Sequence, residues 1–147
     1  MRLQKISLNS IPALVVDTWS ERNIFHGFLG RELDVSKAEN SFKEIFKQEL
    51  NLLEQTHSAD FVYLGSSCSE GDAWISDKPG CLGIKTADCV PILIATKDNS
   101  YFSAVHCGWR GAVSGLLAKV ISELLARGVS LYDLEFALGP SAGACCY

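Results

Sequence analysis

The stretch that decides the fold is Pro91-Ile-Leu-Ile-Ala-Thr-Lys-Asp-Asn-Ser-Tyr-Phe-Ser-Ala-Val-His106, in which two apolar runs flank a short polar segment. The runs at 91–96 and 101–106 have the length and the content of β-branched and aromatic residues that are typical of strands. Residues 97–100 are polar and suit a tight connection. The segment therefore predicts two strands that pair antiparallel through a hairpin turn.

Strand-like and helical segments continue on both sides of this hairpin. Ser36 and Glu39 form a capping box that predicts a helix over 37–53. Apolar residues at helical spacing predict a longer helix over 112–127, with Val113 among its inward-facing residues. Further short strands are predicted at 3–8, 13–17, 24–29, 61–64, 73–76, 82–85 and 134–138. This order predicts a single domain with an α/β or α+β sandwich architecture, in which helices flank a mixed sheet.

Length and composition narrow the class of protein. The chain has 147 residues, of which 48% are apolar and 20% charged, enough for one globular core. A net charge of -4 provides no basic surface, so we expect no nucleic-acid partner. The first ten residues lack a signal-peptide pattern and the longest apolar run, 90–95, is too short for a membrane span. We therefore expect a cytoplasmic protein whose six cysteines are reduced thiols.

Three residues far apart in sequence have the surroundings of metal ligands. His57 lies in Gln55-Thr-His-Ser58, Cys89 follows Thr86-Ala-Asp88, and His106 ends a predicted strand. Two imidazoles and one thiolate suit a tetrahedral zinc ion whose fourth position is left to water or substrate. Their spacing alone also fits structural roles, or a metal-free pair in which His106 activates Cys89 as a nucleophile.

Six motifs in order carry a resemblance to a known family. They are His26-Gly-Phe-Leu-Gly-Arg31, Gln55-Thr-His-Ser-Ala-Asp60, Gly71-Asp-Ala-Trp-Ile-Ser-Asp77, Thr86-Ala-Asp-Cys-Val-Pro91, Val105-His-Cys-Gly-Trp-Arg-Gly111 and Gly139-Pro-Ser-Ala-Gly-Ala-Cys-Cys-Tyr147. With them the chain resembles the laccase-domain family, described both as multicopper polyphenol oxidases and as zinc-dependent purine nucleoside phosphorylases. The resemblance implies the family's fold, which is like that of cytotoxic necrotizing factor. Because family members continue past this motif, it also predicts a domain that is incomplete at its C-terminus.

The resemblance implies a metal site and an activity. His57, Cys89 and His106 match the family's zinc ligands, and copper(II) is a second candidate because it ranks above zinc for such donors. The implied reaction is phosphorolysis of adenosine, inosine, guanosine or methylthioadenosine, with adenosine deamination as a further activity. The partners are then a purine nucleoside and phosphate, and the catalytic set is the three ligands with Arg110.

Other motif residues receive predicted roles around this centre. Arg110 and Arg31 match family arginines and are predicted to hold phosphate, because guanidinium groups bind phosphate in bidentate fashion. Asp88 is predicted to bind substrate or to orient a ligating histidine. Several residues keep two interpretations: Asp72 and Asp77 are assigned to turns before any role in the site, His26 and Trp109 to the pocket or to packing, and Cys107 to packing or to an additional metal ligand. Cys145 and Cys146 are assigned to packing near the site.

Three alternatives stay open at this stage. The chain is a non-catalytic zinc-binding fragment, a metal-free thiol hydrolase built on Cys89 and His106, or a copper-dependent polyphenol oxidase. The last fits least well, because three histidines cannot supply both a blue-copper site and a second, imidazole-rich copper cluster.

Overall fold

The computed structural model describes residues 3–8, 11–30, 39–40, 42–44 and 47–146. Two compact units divide the chain, one over 1–47 and one over 48–147, and each is described by itself. Of the predicted helix-capping box, Ser36 lies outside the described residues.

The first unit contains a small antiparallel sheet. Its strands β1 (Leu3–Leu8) and β2 (Ile11–Val16) pair with each other, and β2 also pairs with β3 (Phe28–Leu29). Helix α1 (Asp17–Glu21) follows β2 directly. The buried apolar side chains of this unit are those of Ala13, Val15, Val16, Trp19 and Phe28. The predicted strand at 3–8 is confirmed, whereas only the last two residues of the one predicted at 24–29 form a strand.

The second unit holds seven strands and two helices in its described part. In chain order these are β4 (Leu50–Leu52), β5 (Phe61–Tyr63), β6 (Ala73–Ser76), β7 (Cys81–Gly83), β8 (Val90–Thr96), β9 (Phe102–Cys107), α2 (Trp109–Val113), α3 (Leu116–Ala126) and β10 (Leu134–Leu138). Five strands form one sheet in the order β10-β8-β9-β6-β5, in which only β5 and β6 run parallel. Strands β4 and β7 form a separate parallel pair.

Alternation along the strands produces two apolar clusters. The larger one joins α3 to the five-stranded sheet through Leu116, Val120, Leu124, Ile75, Ile92, Ile94 and Val105. A smaller one brings Trp74 and Ala104 together with Leu53, Val62 and Leu82. Because successive strand residues point to opposite faces, both faces of the sheet bury apolar surface. The predicted α+β sandwich with a mixed sheet is confirmed.

The central hairpin has the predicted pairing. Strands β8 and β9 are antiparallel, with Ile94 opposite Ser103. The backbone N–H of Thr96 donates to the carbonyl of Tyr101, and Asn99 takes a left-handed conformation in the turn between them. Asparagine tolerates this conformation better than most residues, so the polar loop closes without glycine.

Both helix predictions need correction in part. Of the helix over 37–53, residues 39–40 and 42–44 are helical, as predicted. Residues 50–52 instead form strand β4, because they pair in parallel with β7, a partner 31 residues away at the Leu50–Cys81 position. The helix over 112–127 is two helices, since Gly115 has a φ of +79° and interrupts the hydrogen-bond ladder. Val113, predicted to face inward, is 83% exposed at the end of α2.

No helix in the described part of the chain combines the length and apolar character needed to cross a lipid bilayer.

Neighbouring leucines on α3 test the packing of the larger cluster. Leu124 is 1% exposed and Leu125 is 40% exposed on the same helix. Leu124→Ala should lower the free energy of unfolding by about 2–5 kcal/mol, because it leaves a cavity against the sheet. Leu125→Ala removes the same atoms from a partly solvated position and should cost much less. Urea denaturation followed by circular dichroism measures both, and equal losses would contradict the assigned helix face.

Candidate metal centre

The structure brings the three predicted ligands together. His57 lies in the loop before β5, Cys89 immediately precedes β8, and His106 is the fifth residue of β9. Their ligating atoms lie within 4.8 Å of one another, and the two imidazole rings meet edge to face at 4.8 Å between centroids. His57 is exposed, Cys89 half-buried and His106 buried, so the group opens to solvent on one side.

A buried carboxylate lies behind His106. Strands β6 and β9 pair with Ala73 opposite Val105, which sets Asp72, the residue before β6, opposite His106. The backbone N–H of His106 donates to the carbonyl of Asp72 at 2.8 Å. The side chains of the two residues also meet, and Nδ1 of His106 donates to Oδ1 of Asp72 at 2.7 Å. Asp72 is fully buried. This bond leaves Nε2 of His106 as the free ring nitrogen.

The same carboxylate holds the loop that carries His57. Backbone N–H groups of Thr56, His57 and Ser58 donate to Asp72 at 3.3, 3.2 and 2.6 Å, and the hydroxyl of Ser58 donates at 2.9 Å. His57 itself has a φ of +57°, the left-handed region that non-glycine residues adopt uncommonly. The hydrogen bonds to Asp72 therefore stabilise a backbone conformation that aims the imidazole at its neighbours.

The pKa of Asp72 reflects this environment. Burial by itself would raise that pKa, because it disfavours the charged form. The hydrogen bonds from His106 and Ser58 act in the opposite direction and prevail, so the pKa of the carboxyl lies below its ordinary value. Asp72 is an ionised acceptor at neutral pH.

Gln55 joins the His57 loop to the segment that leads to Cys89. Its side-chain amide donates to the carbonyl of Lys85 at 2.7 Å and accepts from the N–H of Lys85 at 2.7 Å. This two-way bond fixes the distance between the two segments. Gln55, two residues before His57, therefore helps to set the distance between the segments that carry His57 and Cys89.

Two glycines allow the β9–α2 turn to approach the centre. A Cβ at Gly108 would lie 2.9 Å from Nδ1 of His57 and 3.3 Å from Sγ of Cys89. A Cβ at Gly111 would lie 2.8 Å from the carbonyl oxygen of Ser58. The shortest distances, 2.9 Å at Gly108 and 2.8 Å at Gly111, are too short for a Cβ atom. The motif Cys107-Gly-Trp-Arg-Gly111 therefore needs glycine at these two positions for close packing.

An open pocket of about 490 Å³ lies at the exposed side of the ligand group and is lined by His57, Asp88, Cys89, Trp109, Arg110 and Cys146. That volume lies within the range of about 300–1,000 Å³ typical of small-molecule sites. The guanidinium of Arg110 lies 5.4 Å from the ring centre of Trp109, a cation–π distance. The C-terminal segment reaches the pocket because the N–H of Ala142 donates to the carbonyl of Asp88.

The structure changes the roles predicted for Asp72 and Asp88 at His106. Asp72, assigned to a turn, is the residue that orients His106, and the orienting role suggested for Asp88 is wrong in the case of His106. Asp88 lies exposed beside Cys89 in the pocket, so its predicted part in substrate binding stays a prediction. Asp77 is exposed in the bend after β6, as expected for a turn residue.

The remaining candidates divide between the pocket and packing. Trp109 is 59% exposed and lines the pocket, so the core-packing alternative is wrong. Burial, and after it the nearby Cys89, raises the pKa of Cys107, which packs against the larger apolar cluster. Cys146 lines the pocket, with its Sγ 3.2 Å from that of exposed Cys145. Arg31 lies outside the described residues.

His26 is satisfied by backbone groups of its own unit. Its Nε2 accepts from the N–H of Val16 at 2.6 Å, and Nδ1 donates to the carbonyl of Ile24 at 2.7 Å. Burial lowers its pKa, which favours the neutral ring that these two bonds require. Both ring nitrogens are occupied, so the structural interpretation of His26 holds.

The donor set fits one metal ion. Zinc bonds of about 2.0–2.3 Å to nitrogen and sulfur place the ligands of a tetrahedral site a few ångströms apart. The ligating atoms of His57, Cys89 and His106 lie within 4.8 Å of one another, close enough for one ion to be held by all three. The hydrogen bond from His106 to a carboxylate is the outer partner that ligating histidines commonly have.

Comparisons with other proteins agree with this architecture. A purine nucleoside phosphorylase of Clostridium acetobutylicum is 38% identical over 104 residues, which cover 68% of this chain and 44% of that protein. Adenosine deaminase RL5, from an unknown prokaryotic organism, is 33% identical over 66 residues, covering 45% of this chain and 25% of that protein. The chain thus spans about half the length, or less, of the relatives it matches.

A solved structure has the same fold. The crystal structure of the Bacillus licheniformis hypothetical protein YfiH superimposes with a TM-score of 0.75 and 21% identity, covering 99% of this chain and 67% of that one. The family model described as multi-copper polyphenol oxidoreductase laccase matches residues 17–147, which include all three clustered ligands and the Asp72 that supports them. The chain belongs to the multi-copper polyphenol oxidoreductase laccase family.

Proposed function

We propose that the protein is a metal-dependent purine nucleoside phosphorylase that uses zinc. The observation that carries the proposal is the convergence of His57, Cys89 and His106, of which His57 and Cys89 line a pocket together with Arg110. Relatives named purine nucleoside phosphorylase support the same reaction class. A catalytic metal site needs three protein ligands and an accessible fourth position, and this group opens to solvent on the side of His57.

Each pocket residue has a role in this proposal. His57, Cys89 and His106 would hold the ion, which when bound supplies Lewis acidity and a template for orienting substrate. Arg110 binds phosphate through its planar guanidinium, which matches phosphate oxygens in bidentate fashion. Trp109 offers an exposed ring on which a purine base stacks. Asp88 accepts hydrogen bonds from the sugar hydroxyl groups.

The reaction balances without an external oxidant. A phosphate oxygen forms a bond to the anomeric carbon of the ribose while the bond from that carbon to the purine nitrogen breaks. The base leaves with the electron pair of the broken bond and takes up a proton. Arg110, positioned at the pocket, neutralises charge on the phosphate as it approaches the sugar.

Adenosine deamination is a second candidate, and the similarity to a protein named adenosine deaminase favours it. Deamination replaces the amino group of the purine by oxygen from water, releases ammonia and needs no phosphate. It would use the same ligands and the same purine position, so the two activities differ in their dependence on phosphate and on Arg110.

Removal of the proposed thiolate ligand tests the metal site. Cys89→Ser should weaken zinc binding by more than the roughly 10- to 100-fold loss that changes in outer partners cause, because a direct ligand is lost. Elemental analysis of protein purified without added metal, followed by titration with a competing chelator, measures this. Cys68→Ser, at an exposed thiol outside the pocket, is the matched control and should bind zinc as wild type does. Equal zinc content in the two variants would contradict the assignment.

Substitution of Arg110 separates the two reactions. Arg110→Lys keeps the charge but removes the bidentate fork, so phosphorolysis should fall by about 10- to 100-fold, equivalent to losing charged hydrogen bonds of about 1.5–3 kcal/mol. The loss should appear mainly in the KM for phosphate, measured by release of purine base at varied phosphate concentration. Deamination of adenosine by the same variant should change little. A phosphate KM equal to that of wild type would remove Arg110 from the phosphate site.

Metal depletion tests the thiol hydrolase and binding-fragment alternatives. Treatment with a chelator should abolish base release, and re-added zinc should restore it, because the ion and not the free thiol supports the reaction. Activity that survives complete metal removal and is lost on thiol alkylation would support a Cys89–His106 hydrolase. Zinc-loaded protein that produces neither ribose-1-phosphate nor inosine from adenosine and phosphate would support a non-catalytic binding role.

A further inference from the structure

We infer that Asp72 is a positioning residue shared by two of the proposed metal ligands, His57 and His106, and that it sets the metal affinity of the centre by holding both in place before metal arrives. The inference rests on the proposed function insofar as those residues bind metal. It concerns a residue that does not itself belong to the ligand group.

The hydrogen bonds of Asp72 use the whole carboxylate. Oδ1 accepts from the ring of His106 and from the backbone of His57, while Oδ2 accepts from two groups of Ser58 and from the backbone of Thr56. A carboxylate has about four lone-pair sites, so these donors saturate it. Full burial excludes water as a substitute partner.

At His106 the effect concerns the imidazole tautomer. A carboxylate can only accept, so the hydrogen bond at 2.7 Å requires a proton on Nδ1, and a metal ion would bind through Nε2. A neutral imidazole with one free nitrogen is the form that binds metal. The negative charge of Asp72 also makes that nitrogen a better donor to a cation.

At His57 the effect concerns the backbone. The left-handed conformation at this residue is unfavourable for a residue with a side chain, so it persists only while surrounding contacts stabilise it. Hydrogen bonds from three consecutive N–H groups to one carboxylate are those contacts. Without them the loop would relax and carry the imidazole away from Cys89.

The isosteric substitution Asp72→Asn tests the inference with cobalt(II) alone as the probe. An amide places an N–H₂ group against donors, so it cannot satisfy both the His106 ring and the His57 loop. We expect cobalt(II) affinity to fall by about 10- to 100-fold, the range for loss of an outer partner. The visible bands of bound cobalt and the thiolate charge-transfer band from Cys89 should shift, because ligand geometry changes.

A matched control separates positioning from general destabilisation. Asp60→Asn changes a 74% exposed carboxylate, whose ion pair with Lys119 is 3.8 Å long, and should leave cobalt affinity and spectrum as in wild type. Folded Asp72→Asn protein with wild-type affinity and an unchanged cobalt spectrum would overturn the inference. If Asp72→Asn does not fold, Ser58→Ala, which removes one of the five donors, should still lower cobalt affinity by several-fold, and an unchanged affinity there would overturn it.

A measurement on metal-free protein needs neither turnover nor metal. Nitrogen NMR of wild-type protein should show His106 protonated at Nδ1, and amide exchange at His57 should be much faster in Asp72→Asn. Wild-type protein that lacks phosphorolysis but shows these effects and the cobalt result supports the role of Asp72 and removes only the proposed activity. A His106 ring that carries no proton on Nδ1 in the metal-free wild type would overturn the inference.

Discussion

The antiparallel pairing of β6 with β9 is the constraint on which the rest of the site depends. Its register sets Ala73 opposite Val105, and both side chains belong to the cluster that packs against α3. The neighbouring positions, Asp72 and His106, then point to the opposite face and meet there. A slip of one residue would exchange the faces, exposing apolar side chains and separating the carboxylate from the imidazole. Core packing and site geometry therefore select the same register.

This arrangement buries the carboxylate of Asp72, and hydrogen bonds from neighbouring residues offset the free energy of removing it from water. Removing a carboxylate from water disfavours its charged form strongly unless it is hydrogen-bonded. Asp72 receives five donors, and hydrogen bonds to a charged group contribute about 1.5–3 kcal/mol each in typical cases. The backbone strain at His57 is held by the same contacts. The glycines of the β9–α2 turn add close packing that a side chain at Gly108 would prevent.

Local sequence patterns were enough to predict some features of the fold and the site but not others. The hairpin around 97–100 was predictable because its signal lies within a few residues. The surroundings of His57, Cys89 and His106 made them candidates, and the family resemblance singled them out as ligands. Strand β4 was mistaken for helix because its pairing partner, β7, lies far along the chain and outweighs local periodicity. Asp72 was assigned to a turn because aspartate is a common turn residue, and its role depends on a strand partner that no local pattern identifies. Its even spacing from buried Trp74 and Ser76 was the available signal for an inward-facing side chain.

The number of candidate metal ligands distinguishes between two reactions, oxidation of phenols and cleavage of polar bonds. Oxidation of phenols at a multi-copper centre needs many imidazoles, and this chain has three histidines. His26 commits both ring nitrogens to backbone groups, so two imidazoles and one thiolate remain for metal. A single ion held by these residues would suit polar bond cleavage better than multi-electron oxidation. In the pocket lined by His57 and Cys89, Arg110 supplies a cation and Trp109 an exposed aromatic face, the two features that the proposed phosphate and purine substrates would require.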